Sequence, residues 1–241
     1  MARNSPALLA WQSGALGRAV VAAETQLIAE VCDDVFGIEL LQLGAWGKDR
    51  ELLQSSRVRR QTLIAEARSE AVRPDIEAHP AGLPIQSGSI DAVLLPHCLE
   101  IETDPGAVLR EADRVLVGEG QLIALGFRPW SLWGLRAAAS GTGYPPGINR
   151  LLSERRLRDW LLLLGYEVTA ARHYLYVMPS EQGSHPQQSL GMLRRGLFNP
   201  LPPGGYLLKA RKRVYAPTPL RMRRRERARV LGGLVNPSTR T

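Results

Sequence analysis

Short stretches of this 241-residue chain carry residue types that can do chemistry. Gly44 and Gly47 bracket Ala45-Trp46 directly after the apolar run Ile38 to Leu43. A glycine turn at a strand end lets backbone approach a bound molecule, and free N–H groups at the start of a following helix favour an anionic group. About 20 residues further on, Glu66 ends another short apolar run, a place where an acid accepts hydrogen bonds from paired ribose hydroxyls in nucleotide-binding parallel sheets. His97 follows a later run. Its ring suits proton transfer as a general base, or a place in the ligand site, and equally suits packing or capping the next turn; the sequence leaves these open.

Other candidates carry a functional and a plain reading side by side. His173, Tyr174 and Tyr176 fall at or beyond a late strand and either line a substrate pocket or alternate as half-buried strand residues. Trp130 and Trp133, in Phe127-Arg128-Pro129-Trp130-Ser131-Leu132-Trp133, form a lid or anchor a loop. Asp91 reads as structural or close to the ligand rather than catalytic.

The elements that must position these residues alternate. Leu16, Val20, Leu27, Val31 and Val35 recur at helical spacing over residues 16 to 35. Strand, glycine turn and helix then follow at Ile38 to Leu43, Gly44 to Gly47 and Lys48 to Gln54. Strands are expected at Thr62 to Ala65, around Ile76, at Ile90 to Leu95 and at Gln121 to Leu125. Asp104 and Pro105 open a helix with the apolar face Val108, Leu109, Ala112, Val115 and Leu116, which Gly118 stops. A helix from near Ser153, stopped by Gly165, leads into a strand Tyr166 to Ala170, and Tyr206 to Val214 forms another. Residues 179 to 205 are rich in proline and glycine and read as an irregular connection with one short helix near 189 to 196. Such alternation argues for an α/β fold, a parallel sheet covered by helices.

The string Leu83-Pro84-Ile85-Gln86-Ser87-Gly88-Ser89-Ile90-Asp91-Ala92-Val93 continues through His97-Cys98-Leu99-Glu100, Asp104-Pro105, Leu109-Arg110-Glu111, Arg114-Val115-Leu116 and Gly118-Glu119-Gly120. In order and spacing it resembles the class I S-adenosylmethionine-dependent methyltransferases of the small-molecule type. The likeness extends over roughly residues 36 to 214. It implies a Rossmann-like, mostly parallel seven-stranded sheet with helices on both faces, and S-adenosylmethionine as cofactor. It further implies that Gln42 stands for the first-strand acid, Gly44 and Gly47 for the glycine loop beside the cofactor's amino acid portion, and Glu66 for the ribose acid. His79 stands where an acid usually contacts the adenine amine, with Leu83 after it and His97 beyond the fourth strand. Trp46 takes the place of a glycine where the chain passes close to the cofactor.

Composition bounds the rest. The two cysteines, Cys32 and Cys98, form no CxxC or Cys/His cluster, so no disulfide framework and no metal site is expected. No apolar run approaches the roughly 20 residues of a bilayer span, and a cytoplasmic location is expected. The net charge of +8 belongs to the end of the chain: residues 209 to 241 hold 11 Lys and Arg against the single acid Glu226. The expected organisation is an N-terminal helical cap over residues 1–35, a methyltransferase-like domain over 36–214 and a basic, disordered tail over 215–241. Residues 209–229 can recruit nucleic acid through phosphate contacts, or be a solvated tail with no dedicated partner. The expected function is methyl transfer to an unidentified, small-molecule acceptor. The alternative is a weak or inactive methyltransferase-like module that binds nucleic acid through the tail. The incomplete GxGxxG pattern disfavours a nicotinamide oxidoreductase.

Overall fold

A computed structural model of the chain describes residues 6–48, 50–54, 56–66, 72–141, 143–148, 150–179 and 201–214. Its centre is a seven-stranded sheet in the order β3-β2-β1-β4-β5-β7-β6. The strands are β1 (Glu39–Leu43), β2 (Arg60–Ala65), β3 (Ile76–Glu77), β4 (Ile90–Pro96), β5 (Leu116–Phe127), β6 (Tyr166–Tyr174) and β7 (Gly205–Lys212). Neighbours from β3 across to β5 run parallel, and β7 is antiparallel to both β5 and β6. The sheet is therefore mostly parallel, as expected.

Strand period explains how both faces are covered. Leu40, Ala92, Leu94, Ile123, Leu125 and Leu207 face α2 (Ala15–Cys32), whose Val20, Leu27, Ile28 and Val31 join the same cluster. Their neighbours Leu41, Leu43, Val93, Leu95, Leu122, Ala124 and Leu208 face the other way. They meet Val108, Leu109, Ala112 and Val115 of α4 (Pro105–Val115) and Leu157 and Leu161 of α6 (Glu154–Leu163). Each aliphatic side chain fully buried in this way stabilises the fold by about 1.5–3 kcal/mol. Capping matches the sequence pattern: Asp104 accepts from Ala107 N at 2.9 Å, and Ser153 accepts from Arg156 N at 3.3 Å.

Several boundaries differ from the sequence reading. The helix expected to run to Gly118 ends at Val115, because Leu116 is already extended and pairs with Ile90 as the start of β5. In place of the helix expected from Lys48 to Gln54, residues 50–54 form turns, pinned by the buried Leu52 and Leu53. Two helices went unrecognised, α1 (Pro6–Ser13) and α5 (Leu132–Ala139), while a short α3 (Cys98–Ile101) follows β4. The helix near 189 to 196 and the tail 215–241 lie outside the described residues.

Candidate functional site

After β3 the chain crosses β1 and β2 to place β4 on the far side of β1, so winding reverses between β1 and β4. In open α/β sheets the ligand crevice lies beyond the carboxyl ends of the strands at such a point. Here it is lined by Gly44, Ala45, Ala65, Glu66, Pro80, Cys98, Ile101 and Glu102, with a volume of about 20 Å³. The sequence candidates Gly44 and Glu66 therefore share one crevice, at the ends of β1 and β2. Gly44 adopts φ of 90°, and a Cβ there would sit 3.5 Å from Cβ of Cys98, so its backbone conformation rather than space requires glycine. Gly47, at φ of 81°, faces α2 instead: a Cβ there would come within 3.2 Å of Val21.

Glu66 is held by His79 Nε2 at 3.2 Å, and the same nitrogen lies 3.5 Å from Oε2 of Glu102. Glu102 was not foreseen. Burial raises its carboxyl's pKa; His79 opposes that rise and Glu66 adds to it. Candidate ligand atoms of these three residues lie within 4.8 Å of one another, the spacing of a cation site. However, Ala81 N donates to His79 Nδ1 at 3.0 Å, which puts the proton of the neutral ring on Nε2. An Nε2–H between two carboxylates is a donor, as ribose hydroxyls are, and has no lone pair for a metal.

Gln42 is buried at the end of β1. Its Nε2 donates to Gly44 O at 3.1 Å, while Oε1 has no hydrogen-bond partner among the described residues. Such a buried orphan acceptor is costly unless a ligand or water supplies a donor. Leu83 packs in the core on the α4 side. Its backbone N donates to Glu111 Oε1 at 2.7 Å and its O accepts from Arg114 at 3.1 Å, so the Glu111 and Arg114 of the sequence string clamp the Leu83 turn onto α4. Asp91 likewise accepts from the backbone N atoms of Ile38 and Glu39 at 2.7 and 3.0 Å, a purely structural use.

His97 is in the left-handed region, with φ of 54°, and is fully buried. Nε2 lies 2.9 Å from Oε1 of Glu24 on α2, and Nδ1 lies 2.9 Å from Oε2 of Glu100 on α3. Glu24 also accepts from Tyr174 OH at 2.8 Å and from Trp46 Nε1 at 2.5 Å. Glu100 Oε1 accepts from the backbone N atoms of Phe127 and Leu152 at 3.0 and 3.1 Å. The rings of Trp46 and Phe127 flank the imidazole, each with its centroid 4.2 Å away. Burial pushes the ring's pKa down, but the two carboxylates outweigh it and hold His97 up at about 9. Burial pushes Glu100 up, against the opposing bond from His97. An imidazolium with both nitrogens bound to carboxylates has no lone pair with which to act as a general base.

Sequence reasoning missed Glu24, Glu100 and Glu102. One signal for Glu24 was present: it falls on the apolar stripe of α2 between Val20 and Leu27, where a charge needs a buried partner. Of the remaining candidates, His173 is exposed and pairs with Glu154 at 2.6 Å. Trp133 is buried and donates to Val177 O at 3.0 Å, while Trp130 is 89% exposed. The basic stretch expected to recruit nucleic acid lies mostly outside the described residues. Within it, Lys209 is buried against Val31 O and Asp34, Lys212 meets Asp113, and Arg213 meets Glu167 and Glu119.

Residues 55–124 match the methyltransferase domain family. The chain is similar to the uncharacterized protein YafS of Escherichia coli (strain K12), 34% identical over 146 residues, which are 60% of this chain and 59% of that protein. It is also 31% identical over 196 residues to the uncharacterized protein Rv2003c of Mycobacterium tuberculosis, covering 73% of this chain and 63% of that one. The chain thus spans about three-fifths of the length of these relatives. In structure it is similar to a SAM-dependent methyltransferase of Thermotoga maritima, with a TM-score of 0.60 and 18% identity over 84% of this chain and 93% of that one. Likeness at that identity is a likeness of fold.

Proposed function

From the premise that this chain carries the fold of the class I S-adenosylmethionine-dependent methyltransferases, we propose that it transfers a methyl group from that cofactor to a small-molecule acceptor. The observation that carries the reading is the meeting of Gly44 and Glu66 in one crevice at the reversal of winding. The donor set fits. Glu66 would accept from the ribose hydroxyls in place of His79, Gly44 would bring backbone beside the cofactor, and the orphan Gln42 Oε1 would accept from its ammonium group. A neutral amide offers that cation less than a carboxylate does, so binding is expected to be weak.

When bound, the cofactor supplies an electrophilic methyl group on a sulfonium. The protein's part is alignment and exclusion of water, for which Cys98, Ile101 and Ala65 provide apolar walls. Trp46 fills the space beside the glycine loop with its indole packed on His97. The space enclosed by Gly44, Glu66, Cys98 and Ile101, about 20 Å³, is smaller than the cofactor.

Calorimetric titration with S-adenosylmethionine and S-adenosylhomocysteine tests the reading. The wild-type protein should bind both, and Glu66→Ala and Gly44→Arg should each weaken binding about tenfold or more while thermal unfolding shows that the variants fold. Absence of binding to folded wild-type protein at millimolar ligand would overturn it.

A further inference from the structure

A second cavity, of about 450 Å³, opens between the start of α4 and the body of α6, well within the roughly 300–1,000 Å³ of small-molecule sites. Three guanidinium groups line it, those of Arg110, Arg150 and Arg156, against one carboxylate, Asp104. That carboxylate is already committed: one oxygen caps α4 at Ala107 N and the other lies 3.8 Å from Arg110. Neither Arg150 nor Arg156 has a carboxylate partner among the described residues. Arg156 is stacked on Trp160, its Cζ 5.0 Å from the ring centroid. Apolar side chains form the rest of the wall: Leu109, Trp160, Leu163 and Leu164. Leu163 is 85% exposed, an apolar surface left open beside unpaired positive charge.

The larger cavity on the far side of α6 provides a contrast. It has a volume of about 800 Å³ and is lined by Arg158, Arg213, Glu119 and Glu167 among others. Its charges neutralise one another: Arg213 bonds Glu119 and Glu167, and Arg158 bonds Glu154. Such a surface requires no charged ligand, whereas the α4–α6 cavity presents uncompensated guanidinium groups over a hydrophobic floor.

We infer that the α4–α6 cavity binds an anionic amphiphile, a small molecule with an apolar tail and a phosphate or carboxylate head. Arg150 and Arg156 take the head group, since a guanidinium fork can bond two oxygens of a phosphate or carboxylate at once, and the tail lies along Trp160, Leu163 and Leu164. The site is separate from the cofactor crevice and its occupancy is measured without cofactor, so its failure and that of methyl transfer are distinguishable.

The test is titration of the full chain with monomeric decyl phosphate, followed by calorimetry and tryptophan fluorescence, with decyl maltoside, inorganic phosphate and anionic phospholipid vesicles as parallel arms. Saturable binding of decyl phosphate is expected, weakened about tenfold or more by Arg150→Ala with Arg156→Ala and by Leu163→Asp, and unchanged by Arg158→Ala. These are surface substitutions, and unfolding curves confirm that each variant is folded. Equal binding of decyl maltoside, affinity indifferent to the arginine pair, or binding to vesicles without binding of the monomer would each overturn the proposal, as would no saturable binding at all.

Discussion

Between Glu24 and Glu100 the His97 imidazole holds a proton that its ordinary chemistry would release near neutral pH. Its folded value, about 9, lies above the usual 6.5 because two carboxylates outweigh the cost of burial. A group raised in this way contributes its full stability below about pH 6.5 and loses it as pH climbs through 9. Burial also raises Glu100, whose contribution declines in the same direction but starting at lower pH, as pH climbs above its ordinary 4.5, so that it is the carboxylate facing His97 once ionised. Thermal unfolding should therefore show stability falling from pH 6.5 to 9, by up to about 3 kcal/mol for the histidine alone. His97→Gln should flatten that decline whatever its effect at pH 6; an unchanged slope would contradict the account. This arrangement was not legible from His97 itself, since nothing in Pro96-His97-Cys98 separates a base from a buried cation. It depends on Glu24, which lies 73 residues away in sequence.

Elements were read well where sequence and packing agree. In α4, Asp104 caps, Pro105 fits the first turn and the apolar stripe meets the sheet, so local preference and burial point the same way. Asp104→Ala is expected to cost about 1 kcal/mol in chemical denaturation, the usual worth of an N-cap. Leu157→Ala, which empties a fully buried position under β5 and β7, should cost about 2–5 kcal/mol. Similar losses for the two would contradict the layer assignment. The elements that were missed lack such agreement. The short α1 is apolar along most of its length and so shows no one-sided stripe, and its place is set by distant partners, with Trp11 donating to Tyr144 OH at 3.2 Å. Lys48 to Gln54 has helix-forming composition, yet adjacent Leu52 and Leu53 are both buried, which a one-faced helix does not require. Without a regular helix there, the expected helix N-terminus for the cofactor's carboxylate is replaced by turn backbone.

At the scale of the whole molecule, alternating strands and helices with one long ordered string sufficed to read the sheet and its likeness to methyltransferases. That legibility comes from periodicity and turn chemistry, which are local. The crevice was half legible: Gly44 and Glu66 lie at strand ends that sequence can locate, while Cys98, Ile101 and Glu102 reach it from the short α3 and its C-cap, which the sequence pattern did not mark. The packing of Trp11 on Trp46, and of Trp46 on His97, was not legible at all, because it joins residues far apart in the chain. The measurement that bears most directly on the central claim is backbone hydrogen exchange with and without S-adenosylhomocysteine. Binding in the crevice predicts slowed exchange confined to residues 44–48, 63–66, 78–83 and 97–102, and little change in α6 or β6. Unchanged exchange at saturating ligand, or protection elsewhere on the fold, would contradict it.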